Sequence, residues 1–165
     1  MFNIGDLIIY SGEGVCKVEE IGNPVIGGKT ADRLYYTLSP LYRSGRVLAP
    51  VEGKVFMRPV MSREDAMALI EAIPATEEEA CEERNLRMLT EHYQTRLQQY
   101  DPMELVRVIK SVQKKRDLAL SRGKKLGQID ERFMHRAEEM LYGELAVALE
   151  IEKNQVLNFI TEIIG

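Results

Sequence analysis

The spacing of apolar positions changes once along this chain, near Ser62: before it the runs are short and alternate, after it they recur every three or four residues. Leu7, Ile8, Ile9 and Tyr10 follow the turn pair Gly5-Asp6, the pattern of a buried strand. Ser11-Gly12-Glu13-Gly14 reads as a tight turn whose two glycines supply positive φ. Val15, Lys17 and Glu19 then face one way and Cys16, Val18 and Glu20 the other, with Ile21 closing a hairpin. Val25-Ile26 and the turn Gly27-Gly28 predict a second hairpin. Arg33 to Leu38 alternates and is broken by Ser39-Pro40; Gly45 to Pro50 is another short strand, and Val55-Phe56-Met57 is the last piece before Arg58-Pro59. About five short strands in under sixty residues predict a small, bent β-barrel.

From Ser62 onward the signals are those of helix starts. Ser62 with Asp65 predicts a capped helix running to about Ala72, ahead of Pro74. Thr76 with Glu79 forms a second capping box, with Glu77 and Glu78 suited to a positive helix start. Asp101-Pro102 with Glu104 opens a third helix, Asp130 a fourth, and a fifth starts near Glu152 and ends by Gly165. Stripes at Leu86, Leu89, Tyr93, Leu97 and Tyr100, at Leu105, Val108, Ile109 and Val112, and at Met134, Ala137, Leu141, Leu145 and Ala148 each cover one helix face. The fold class is therefore α+β, with a β domain over residues 1–60 and an all-helical bundle over residues 61–165.

Composition adds little until charge is placed along the chain. A 45% apolar content supports a core, and a net charge of −4 neither favours nor excludes a nucleic-acid partner. Cys16 and Cys81 lie far apart in different elements, which speaks against a disulfide or metal site and fits a reducing cytoplasm. No apolar run is long enough for a membrane span. Residues 104–136, however, carry ten basic side chains against four acids, a net of +6, whereas residues 76–99 sum to −3. The tightest group is Arg122-Gly123-Lys124-Lys125, on a loop able to follow a phosphate backbone without reading bases; a solvated helix face is the plainer alternative.

The N-terminal pattern resembles the first module of the CarD family of bacterial transcription regulators: Phe2, Gly5-Asp6, Ile8-Ile9-Tyr10, Gly14, Val18 and Ile21. The transcription-repair coupling factor carries a similar module. Asp101-Pro102 with Leu105, Val108 and Ile109, and Arg132 through Leu141-Tyr-Gly-Glu-Leu-Ala146, are similar to the family's helical half, so the resemblance covers nearly the whole chain and favours the stand-alone regulator over the repair factor. It implies a Tudor-like barrel that binds the RNA polymerase β subunit, here through Val25, Ile26, Lys29, Arg46 and Leu48. It also implies a helical domain that touches promoter DNA at the upstream edge of the melted region, without sequence specificity, and alters open-complex lifetime. The DNA-contacting residues on this reading are Arg84, Leu86, Arg87, Arg122, Lys124, Lys125 and Arg132. Two positions depart from the family. Many members place a wedging tryptophan near the start of the second helix, and this chain has no Trp; Leu86 is the nearest counterpart, and a core leucine is the alternative. Where an arginine often precedes the barrel-ending proline, the chain reads Val47-Leu48-Ala49-Pro50, with Arg46 just ahead.

Catalysis finds little support. His92 and His135 are single helical histidines, and Glu138, Glu139 and Glu144 fit an exposed acidic face better than a carboxylate pair. Gly22 to Thr30 ends in Gly-Lys-Thr, but the glycine a phosphate loop needs falls at Asn23 and a strand follows. The expectation is a monomeric, non-enzymatic regulator without cofactor, metal or membrane association, and a protein-only adaptor is its rival.

Overall fold

Strand β1 (Leu7–Tyr10) and strand β2 (Gly14–Gly22) pair antiparallel, as their alternation predicts. The turn between them is a single 3-10 turn, Ser11–Glu13. Its positive φ values fall on Ser11 (42°) and Gly14 (76°) and not on Gly12, so only one of the two glycines is used for its conformational freedom. The computed structural model describes all 165 residues, and they divide into two compact units, Met1–Met61 and Ser62–Gly165.

In the first unit, β3 (Val25–Ile26) and β4 (Lys29–Thr30) form a separate two-stranded ribbon, closed by Gly27 and Gly28 at φ 61° and 82°. Both signs match the two-residue hairpin turn that glycine pairs favour. Strands β5 (Tyr35–Pro40), β6 (Val47–Pro50) and β7 (Met57–Pro59) complete a five-stranded antiparallel sheet of order β6-β5-β2-β1-β7. Pro40 does not break β5 but ends it, opposite Cys16. The last strand lies further on than the apolar triplet at 55–57 predicts: Arg58 and Pro59 belong to it and oppose Ile9 and Ile8. A proline is tolerated there because the strand is at an edge and needs no second partner. Ile8, Cys16, Val18, Tyr36, Leu38 and Ala49 make the core. Burial raises the pKa of the Cys16 thiol to about 11, so it behaves as a packed apolar group.

The residues that carry the N-terminal pattern have local duties. Phe2 packs on Tyr36 at 5.9 Å between ring centroids, and its N–H donates to the Tyr36 hydroxyl at 2.9 Å. Gly5 N–H donates to the Val18 carbonyl at 2.7 Å, and Val18 N–H donates to the Asp6 carbonyl at 2.9 Å. The Asp6 carboxylate accepts from Asn3 N–H at 2.8 Å. Gly5-Asp6 is thus the clip that fastens the chain start to β2. This unit is α+β's sheet half and is consistent with a Tudor-like domain.

The second unit is helical: α1 (Arg63–Ala72), α2 (Leu86–Leu97), α3 (Pro102–Ser121), α4 (Gln128–Leu149) and α5 (Val156–Ile164). Helices α3 and α4 form the central pair, α2 packs on both, and α1 and α5 pack on α4 and each other. Leu105, Val108 and Val112 from α3, and Phe133, Ala137, Leu141 and Leu145 from α4, are buried. No helix is long and apolar enough to cross a membrane.

The Ser62 cap is present, its hydroxyl accepting from Asp65 N–H at 3.0 Å. Ser62→Ala should destabilise the helical unit by about 1 kcal/mol, the usual worth of such a cap, read as an earlier urea midpoint in the helical circular-dichroism signal. The expected box at Thr76 and Glu79 does not form a helix: α2 starts ten residues later, capped by Asn85, whose side chain accepts from Arg87 and Met88 N–H. The Thr76 hydroxyl instead donates back to the Ala72 carbonyl at 2.8 Å. Helix α4 opens at Gln128 with Gly127 as its cap, so Asp130 is not the opener but lies buried in the first turn.

Candidate polymerase and nucleic-acid surfaces

Two surfaces collect the residues singled out in the sequence, one on each unit. On the sheet unit, β6 ends the strand order and so offers an unpaired edge, and Leu48 on it is 42% exposed. Arg46 is exposed and lies just before β6, not in it. Val25 and Ile26 are 69% and 46% exposed, on the ribbon and not on the five-stranded sheet. Ile26 stands opposite Lys29 in the ribbon register. Asn23 Nδ2 donates to the Ala31 carbonyl at 3.1 Å and Ala31 N–H to the Pro24 carbonyl at 2.8 Å, which closes the ribbon's base.

On the helical unit, Leu86 is 65% exposed at the first turn of α2. It is not a core leucine: the buried stripe begins at Leu89 and continues through Tyr93 and Leu97. Its position is fixed by the Asn85 cap and by Asn85 N–H donating to Glu83 Oε1 at 3.0 Å. Arg84 and Arg87 are exposed beside it, Arg87 in an open i,i+4 pair with Glu91 at 3.3 Å. Met88, not foreseen from the apolar stripe, adds a second exposed apolar side chain, at 54%. Arg122 Nη1 lies 4.0 Å from Glu82, which brings the chain just ahead of α2 to the α3–α4 loop.

The basic run of residues 104–136 is only partly available. Arg107 pairs with Glu104 at 2.9 Å, Lys114 with Glu79 at 3.1 Å, and Lys115 with Asp130 at 2.9 Å. Lys110 donates to the Ile73 and Thr76 carbonyls and so caps the end of α1. Arg116 lies against the Met134 sulfur, and Arg132 stacks over Phe133 at 5.1 Å. Lys124, Lys125, Arg132 and Arg136 are exposed and have no acid partner. The unpaired charge is therefore concentrated on the α3–α4 loop and the first half of α4, not along α3.

Two buried polar clusters set the frame of this surface and were not visible in the sequence. The Tyr93 hydroxyl donates to Asp130 Oδ1 at 2.6 Å, and Lys115 reaches the same oxygen. Burial, with the Asp130 hydrogen bond next, raises the Tyr93 pKa far above the usual phenol value. Arg96, only 15% exposed in its side chain, bridges Glu78 at 3.1 Å and Glu104 at 2.9 Å. His92 is half-buried, and burial followed by the nearby Arg96 charge holds its pKa below the usual range. A groove of about 360 Å³ between α1, α3, α4 and α5 is apolar, lined by Ile73, Val106, Ile109, Leu141, Ile160 and Ile164 among others. Neither His135 nor Glu138, Glu139 or Glu144 lines it.

Residues 2–61 match the family model described as the CarD-like/TRCF RID domain, nearly the same stretch as the first unit. The match supports a CarD-like/TRCF RID domain in the first unit and covers none of the α-helices. No curated protein sequence matches the chain.

Proposed function

We propose that this chain, with its CarD-like/TRCF RID domain at the front, is a non-enzymatic transcription regulator. The sheet unit grips the RNA polymerase β subunit through the ribbon residues Val25, Ile26 and Lys29 and the neighbourhood of β6, with Arg46 and Leu48. The helical unit touches promoter DNA at the upstream edge of the melted region. Lys124, Lys125, Arg122 and Arg132 contact phosphates, and Leu86, between Arg84 and Arg87, lies against the base steps at the bubble edge.

The observation that carries the DNA assignment is the exposed, capped Leu86 together with cations that lack acid partners. Leu86 stands exposed at a helix start between two exposed arginines, so an apolar side chain suited to a base step and cations suited to phosphates are presented together. Leu presents less stacking surface than an aromatic residue, so its contact is the weaker kind. Tethering makes weak contact effective, because polymerase binding converts the DNA encounter into an intramolecular one. Any contact made with the open complex and not with the closed one shifts the equilibrium by its differential free energy. Phosphate contacts carry no sequence information, so the expected binding is independent of sequence.

A protein-only adaptor is the second reading, favoured by the internal pairing of Arg107, Lys110, Lys114 and Lys115. Footprinting of a polymerase–promoter complex separates the two. With the wild-type chain, protection extends at the upstream edge of the bubble. With Lys124→Glu/Lys125→Glu that extension is lost while co-purification with polymerase is kept. Unaltered protection by the double variant favours the adaptor.

A further inference from the structure

We propose that the acidic segment between α1 and α2, residues 76–85, is a built-in counter-ion for α3 that competes with nucleic-acid phosphates and holds the helical unit's own DNA affinity down. This rests on the DNA-contact reading above. The segment has no regular secondary structure and carries Glu77, Glu78, Glu79, Glu82 and Glu83. It crosses α3 in a fixed path. Lys110 donates to the Thr76 carbonyl at 2.6 Å, and the buried Ser111 donates to the Glu79 carbonyl at 2.7 Å. Arg96, its side chain largely buried, holds Glu78 at 3.1 Å.

That path sets two further carboxylates against cations that would otherwise face solvent: Glu79 on Lys114 at 3.1 Å and Glu82 on Arg122 at 4.0 Å. These two pairs differ in kind from the anchors. The Glu79 side chain is 90% exposed, and those of Glu82 and Arg122 are 60% and 63% exposed. Exposed pairs of this sort are weak and screened by salt. A phosphate arriving at Lys114 or Arg122 can displace them by side-chain rotation alone, with the backbone still pinned. Lys114 and Arg122 are thus in reserve, opposed until a denser line of negative charge is presented at high local concentration. A chain that grips polymerase first and DNA second gains selectivity from this, because stray duplex is held poorly.

The test uses the full chain and a short duplex of arbitrary sequence, with binding followed by fluorescence anisotropy over a salt series. Glu79→Gln/Glu82→Gln should bind about 5- to 10-fold more tightly at low salt. Its slope of log affinity against log salt should steepen by about one to two, since each phosphate neutralised contributes ~0.9. Lys114→Gln should have little effect in the native background and should remove much of the gain in the neutralised one. Glu71→Gln/Glu162→Gln makes the same change in net charge at exposed sites on α1 and α5 and should move affinity less than twofold. Equal binding by Glu79→Gln/Glu82→Gln and the native chain, with Lys124→Glu/Lys125→Glu still weakening both, overturns the counter-ion and leaves the DNA contact standing. An equal gain from the α1/α5 control also overturns it. Absence of duplex binding by native and neutralised chains alike overturns the two together.

Discussion

Val25→Asp/Ile26→Asp, made in the intact chain, should weaken binding to RNA polymerase by about 100-fold or more, the loss expected when apolar anchors at an interface centre are replaced by charges that must be desolvated. The fold gives a reason to expect a clean result. Both side chains point outward from a ribbon that pairs only with itself, so neither contributes to the core of Ile8, Cys16, Val18, Tyr36, Leu38 and Ala49. The ribbon turn depends on Gly27 and Gly28 and its base on Asn23, all of which the variant keeps. Leu48→Asp on β6 should cost about tenfold by itself. Titration of immobilised polymerase with each variant measures these directly. An affinity unchanged by the ribbon variant but lost on Leu48→Asp would move the grip from the ribbon to the sheet edge.

Lys115→Ala should destabilise the helical unit by about 3 kcal/mol, because it leaves the carboxylate of Asp130 buried without its cation. The Asp130 side chain is 4% exposed and that of Lys115 20%, so water can compensate only from one side. The Tyr93 hydroxyl remains on the same oxygen and offsets part of the loss. For a unit of this size the change corresponds to a melting temperature lower by about 12–20 °C. Tyr93→Phe removes one hydrogen bond and should cost about 1–2 kcal/mol. Lys115→Met/Asp130→Asn, which removes both charges, should recover much of the loss seen with Lys115→Ala. Urea unfolding followed at a helical wavelength ranks the three. A Lys115→Ala chain as stable as the native one would show that the carboxylate is hydrated after all.

Where local chemistry decided the structure, the sequence was legible. The alternation through β1 and β2, the Gly27-Gly28 turn and the caps at Ser62 and Asp101 are each settled within a few residues, and each is present. The misreadings share one cause. Thr76 and Glu79 have the spacing of a capping box, yet the Thr76 and Glu79 carbonyls are taken by Lys110 and Ser111, more than thirty residues away, and a helix there would withdraw them. Asp130 has the look of an N-cap, but its partners are Lys115 and Tyr93, 15 and 37 residues distant. The charge sum over residues 104–136 could not show that two of the opposing acids, Glu79 and Glu82, lie outside it. Leu86 stood at the head of an apolar stripe and only the register of α2 reveals that the stripe starts three residues later. The proposed contact residues rest on the family resemblance together with residue type, and which cations are already engaged, such as Arg107, Lys114 and Lys115, could not be read there.

Strand β6 is four residues long and its last is Pro50, which has no amide hydrogen. Alternate amides on any strand point towards the neighbour already present. A guest segment laid along this margin could therefore form no more than a couple of main-chain links, too few to recruit an arbitrary extended peptide or to seed stacking of one copy on another. Along this margin the flanking side chains, and not main-chain pairing, would supply most of the contact with any extended guest.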